Sequence, residues 1–185
     1  MLLEFFEWMA TTQWSIALHE SFYMYPWIES SHVLLITVFV GILIFIDLRM
    51  LGLVFKDVPV SELTSKLLPW SIAGFVLIVI TGLLLFYAIP VRTYQSIFFR
   101  IKVIVLIAAG LNAMWFHFKV QNKGVEWDSD PVPPRRVRIV ALVSLSSWIT
   151  IIVTGRMIAY NWFDCDRQPQ SSFINWATSC VVEEL

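Results

Sequence analysis

The residues of this chain best suited to chemistry are ionisable groups set inside or at the edges of long apolar runs. His32 opens the first run, and Asp47 and Arg49 lie near its other end. Arg100 and Lys102 lie near the start of the third run, and Arg156 and Met157 near the end of the fourth. A neutral imidazole is a good iron ligand, and a desolvated lysine can lose its proton and offer its lone pair. Buried cations suit the carboxylates of a haem or of another anionic ligand. Each charge costs several kcal/mol at membrane depth, so each is by default a functional hypothesis.

The runs that hold them are long enough to cross a bilayer. They cover roughly residues 32–55, 67–91, 97–118 and 137–160, and a helix needs about 20 mostly apolar residues to cross ~30 Å of hydrocarbon. No charge falls between Leu67 and Val91, or between Ile139 and Gly155. Hydrophobic residues make up 58% of the 185 and charged residues 15%, against about 25% charge in soluble domains. Mean hydropathy is +0.72. A soluble core of buried helices would leave too little polar sequence to cover four such spans. The expected fold is therefore all-α: a polytopic membrane four-helix bundle. A net charge of −1 gives no electrostatic case for nucleic acid. No Ser/His/Asp arrangement, phosphate loop or paired-carboxylate motif points to a hydrolase or kinase.

Basic residues give the orientation. The connections after the first and third spans hold or border Arg49, Lys56, Lys66, Lys119, Lys123, Arg135, Arg136 and Arg138, whereas the opposite loops hold only Arg92 and Arg167. The positive-inside rule then places both termini outside and the loops at 49–69 and 119–136 in the cytoplasm. Cys165 and Cys180 fall in the tail at 161–185, which this topology puts in an oxidising compartment, so a disulfide between them is expected. Residues 1–25, within an outer segment taken as 1–31, are rich in aromatics but too interrupted by Glu4, Glu7, His19 and Glu20 to span. They read as an amphipathic segment in the outer interface, closed by Pro26. The acids at Glu4 and Glu7 and the lack of a basic start argue against a secretory leader. Ser61 to Lys66 reads as a separate short cytoplasmic helix before Pro69.

Depth sorts the histidines. His32 is at the outer mouth of the first span and His117 ends the third on the cytoplasmic side, roughly 30 Å away at ~1.5 Å rise per residue. They cannot share one haem or metal. Lys102, Arg156 and Met157 share the depth of His32, with Glu29 one turn before it and His19 on the outer belt. The plain alternative is an interfacial network of Glu29, Lys102 and Arg156 in which His32 merely caps a helix. At the other face, Asp47 and Arg49 with Asn112 and His117 suit a polar cluster, in which structural pairing and a snorkelling Arg49 is the better reading.

The run Tyr25-Pro26-Trp27-Ile28-Glu29-Ser30-Ser31-His32-Val33-Leu34, with Gly41 and Asp47-Leu48-Arg49-Met50-Leu51-Gly52-Leu53, resembles a bacterial family of small four-helix inner-membrane proteins without assigned activity. Leu68-Pro69-Trp70, Gly74-Phe75, Thr81-Gly82-Leu83-Leu84 and Asn112 extend the likeness over about residues 13–118. More distantly, a His opening the first span, an Arg-Leu-type element at its end, a Pro then Gly in the second, and a Lys early in the third are similar to the four-helix membrane protoporphyrinogen oxidase. Copper-resistance D-type membrane proteins share parts of that layout. The oxidase resemblance implies haem b binding at the matching His32 and Lys102. The chain departs from it in its aromatic N-terminal belt, its cysteine-bearing tail, and Asp47-Leu-Arg-Met in place of Pro-Arg-Leu.

These features together predict a bacterial inner-membrane protein holding a b-type haem near its outer face. It would transfer electrons, or serve as a small redox subunit with quinone or a partner protein, and self- or hetero-association is left open. His32 would be an axial ligand, Lys102 the candidate second ligand and Arg156 a propionate contact, with His19 and Met157 in reserve. One alternative is a copper-transport-type protein, weakened because no Met-rich or His-rich outer segment is present to collect soft metal. The other is a non-catalytic scaffold subunit of a membrane complex.

Overall fold

A computed structural model describes residues 2–120, 127–160 and 162–180; Lys123 of the basic loop and the last five residues of the tail lie outside them. The described residues are helical, with turns between. Short α1 (Leu2–Ala10) and α2 (Gln13–Glu20) precede α3 (Met24–Met50) and α4 (Val60–Ala88). The five-residue α5 (Pro90–Tyr94) leads into α6 (Ile97–Trp115), which closes in a π-helical turn (Phe116–Val120). Then come α7 (Arg135–Met157), ending in a short 3-10 turn, and α8 (Ser172–Thr178) in the tail. The four spans Met24–Met50, Val60–Ala88, Ile97–Phe118 and Arg135–Tyr160 are long and apolar enough to cross a membrane. The chain is a multi-pass membrane protein.

Two helix boundaries differ from the sequence expectation, both at proline. Pro26 does not close the interfacial belt but sits in the first turn of α3, where its missing N–H would have had no helical partner anyway. Pro69 does not separate a short helix from a span. It lies inside the continuous α4, at the cost of one backbone hydrogen bond, which membrane helices tolerate.

The long helices pack as two pairs, α3 on α4 and α6 on α7, joined through α3 and α7. A third of the apolar window of α3 and of α7 is buried (33% each), but only 11% of α4's and 6% of α6's. So α3 and α7 form the centre, and α4 and α6 present nearly their whole length outward, as lipid-facing helices should. Phe39 of α3 joins the pairs by an edge contact with Trp148 of α7, centroids 4.9 Å apart. At one end Ile46, Met50, Val60, Phe116, Val137, Val140 and Ala141 close a common core.

That end is fastened by Arg49. Its guanidinium is fully buried and donates from Nε to Val58 O (2.6 Å) and from Nη2 to Asp130 O (3.0 Å) and Asp128 O (3.4 Å). It neither snorkels nor forms an ion pair with Asp47 among the described residues. α3 stops just beyond in a turn where Leu53 N–H bonds Leu48 O and Gly52 N–H bonds Arg49 O, the pairing of a Schellman cap. Gly52 has φ +73°, and a Cβ there would meet Pro131 O at 2.9 Å, so only glycine fits. Asp128 then caps α4 from another loop: its carbonyl accepts from Val60 N–H (3.1 Å), and its carboxylate from Ser61 N–H (2.8 Å) and the Ser61 hydroxyl.

The opposite end is covered by the chain's extremities. α1 and α2 pack on the α4–α5 corner: Phe6 sits 5.3 Å from Phe86 and 4.7 Å from Tyr94 by ring centroids, and Ser15 Oγ donates to Tyr87 O at 2.8 Å. The tail folds over the α5–α6 junction through the Arg92–Asp164 ion pair (3.1 Å) and the bond from Arg100 Nη2 to Ser179 Oγ (3.2 Å). A disulfide joins Cys165 to Cys180. Closing a loop of 15 residues is worth about 3 kcal/mol of chain entropy.

Candidate functional site

His32 lies at the end of the bundle that carries the tail, and it is buried. It faces α4, where two consecutive residues receive it. Thr81 Oγ1 stands 2.7 Å from Nδ1, and Gly82 leaves the space the ring occupies. Thr81 also lies 2.8 Å from the carbonyl of Leu77, one turn back in its own helix. A carbonyl can only accept, and a hydroxyl has one proton, so Thr81 gives that proton to Leu77 O and accepts from the ring. The network thus assigns the Nδ1–H tautomer and leaves the Nε2 lone pair unprotonated. Histidines that ligate a metal through one nitrogen nearly always donate from the other in this way.

A Cβ at Gly82 would come within 3.2 Å of His32 Cε1, whereas one at Gly110 on α6 would meet nothing within 4 Å. Gly82→Ala should therefore lower stability by about 1–3 kcal/mol through overpacking, and Gly110→Ala should leave it unchanged or slightly raised. Thermal unfolding of the two variants in detergent checks the contrast; equal behaviour would mean that the ring does not rest on Gly82.

Lys102 reaches the same level from α6. Its Nζ lies 3.4 Å from where a Cβ on Gly155 of α7 would stand, and its charge is close enough to act on His32. Among the described residues it has neither an ion pair nor a hydrogen bond. An ammonium at this depth without a counter-charge is costly. A ligand with a lone pair or a negative charge would relieve it.

The remaining residues predicted for the site are placed apart from this pair. Arg156 is exposed and lies over the Tyr160 ring, 5.3 Å from its centroid. Because Gly155 faces Lys102, the next residue is turned about 100° round the helix, away from it. Met157 is half-buried at the last position of α7. His19 is exposed on α2, its ring 6.3 Å from Tyr25, and lines a surface hollow with Ser15, Ile16 and Arg92. Glu29 is exposed and makes no ion pair among the described residues. The interfacial network of Glu29, Lys102 and Arg156 is therefore not formed. His117 is exposed in the π-helical turn at the other end of the bundle. Nor do the described residues bring three His, Cys, Asp or Glu side chains together as a metal site. Sequence reasoning gave no role to Thr81, Gly82 or Gly155. The signal available for the first two was a polar–glycine pair inside the aliphatic stretch at 76–85.

A family description covers most of this architecture, matching residues 5–161, from the first interfacial helix to the end of the last span. The chain belongs to a family of unknown function, DUF6644. The matched segment contains His32, Thr81, Gly82, Lys102 and Gly155, and leaves the disulfide-bearing tail outside. No curated protein and no solved structure matches the chain.

Proposed function

We propose that this protein is an integral-membrane b-type haem protein that handles single electrons. In this reading His32 would hold the iron through Nε2. Lys102 supplies either the second ligand or the cation facing a propionate. The observation that carries the reading is the His32–Thr81 bond, which fixes the imidazole with an unprotonated nitrogen at the level of an uncompensated lysine. The donor set suits the group: a neutral imidazole held by Thr81 would bind iron, and a buried cation would face an acidic side arm. When bound, such a group would supply one-electron redox chemistry. The protein's own part is to orient the ring through Thr81, to exclude water with α3 and α7, and to balance charge with Lys102.

The natural electron partners are a lipid-soluble quinone or a membrane redox protein. The same reading places the protein in a bacterial inner membrane with both termini outside. It is supported by the basic residues bordering the Arg49 end and by the tail disulfide, which needs an oxidising compartment. The copper-transport alternative finds no group of three His, Cys, Asp or Glu side chains among the described residues.

The test is an absorption spectrum of the protein purified from haem-replete cells. A Soret band with about one haem per chain is expected, and Lys102→Met should shift that band or its redox midpoint without abolishing binding. A protein without any Soret band would leave the scaffold-subunit reading.

A further inference from the structure

Buried polar groups also gather at the far end of the bundle, where the haem reading makes no use of them. Asp47 lies fifteen residues beyond His32 on α3, about 22 Å along the axis at ~1.5 Å per residue. It is 5% exposed and stands one turn before the helix ends at Met50. Its Oδ2 is buried without a partner. No cation answers it among the described residues. Arg49 gives Nε and Nη2 to the carbonyls of Val58, Asp128 and Asp130, and its Nη1 is itself buried without a hydrogen-bond partner and makes no ion pair with Asp47. On α6, Asn112 donates to Val140 O at 3.0 Å, and His117 is exposed. On α7, Arg138 is exposed, and on α4 Glu62 and Lys66 pair with each other at the surface.

A carboxylate in this position would be a bare charge in a low-dielectric interior, at a cost of several kcal/mol. A neutral carboxylic acid avoids most of that cost. We propose that Asp47 is a proton-binding site inside the bundle, holding its proton in the folded protein and exchanging it with water. Exchange breaks one carboxyl O–H bond, passes the proton to a water molecule, and remakes the bond by the reverse transfer; no electron moves. The site is independent of the haem reading, since neither His32 nor any cofactor enters the argument. It gives the molecule two separated polar levels, one at each end of the membrane-spanning core.

Infrared spectroscopy of the purified protein, in a detergent without ester carbonyls, tests this directly. At neutral pH the wild type should show the carbonyl stretch of a protonated carboxylic acid. That band should shift in heavy water, disappear in Asp47→Asn and change frequency in Asp47→Glu. Retention of the disulfide and of the thermal transition shows that the variants are folded. If Asp47→Asn does not fold, the frequency change in Asp47→Glu alone decides. No protonated-acid band in the folded wild type, a band unaltered by either substitution, or a band that never shifts in heavy water would overturn the proposal.

Discussion

Arg49→Met should cost on the order of 3–5 kcal/mol, the range for removing one partner of a buried charged contact. The side chain is fully buried and satisfies carbonyls from two loops, Val58 before α4 and Asp128 and Asp130 before α7. Hydrogen bonds from a charged donor are worth about 1.5–3 kcal/mol each, and the abandoned carbonyls would be left buried. Methionine fills the space but supplies no donor. Arg49→Lys should fall between, because a single ammonium cannot span acceptors that the planar fork reaches from two sides. The loss should be seen in denaturant unfolding and in faster proteolysis of the segment around 127–134. A cost below about 1 kcal/mol would mean that the loops are held by the apolar core around Met50 and Val137 instead.

His32→Ala should have the largest effect on function: loss of the haem, or conversion to a spectrum of different ligation. Removing the imidazole opens a coordination position and leaves Thr81 with an unused acceptor. Thr81→Val is the subtler variant. It keeps the ring but removes the acceptor that fixes Nδ1–H, so haem affinity should fall about 10–100-fold, as for other outer-shell partners of ligating histidines. Each variant should also lower fold stability by about 1–3 kcal/mol, because Thr81→Val strands a buried N–H and His32→Ala empties the space above Gly82, so haem binding is compared on folded protein. An unchanged spectrum in His32→Ala, measured on folded protein, would remove His32 from the site.

The spans were legible because nothing but a membrane accommodates four uninterrupted apolar runs in so short a chain. Their ends were less so. Pro26 and Pro69 read as breakers by the rules of soluble proteins, yet one occupies a first turn and the other a membrane helix, where a missing N–H is tolerated. The common depth of His32 and Lys102 could be counted from the helical rise. Which way their neighbours face could not, because rotation of a helix about its own axis is set by packing. Hence Arg156, adjacent to Gly155, shares the depth of Lys102 but points elsewhere. Arg49 was the least readable residue. Its partners are backbone carbonyls of two loops, which no residue type announces, so a buried clamp looked like an interfacial cation.

The central claim is that the site lies at the His32 end and depends on that imidazole. It is tested most directly by titrating haem into apo-protein and comparing wild type, His32→Ala and His117→Ala in one detergent. One haem per chain should bind to the wild type and to His117→Ala with the same spectrum, and His32→Ala should fail to bind it or bind it with altered ligation. Binding that survives loss of His32 but not of His117 would put the site at the opposite end of the bundle and contradict the account.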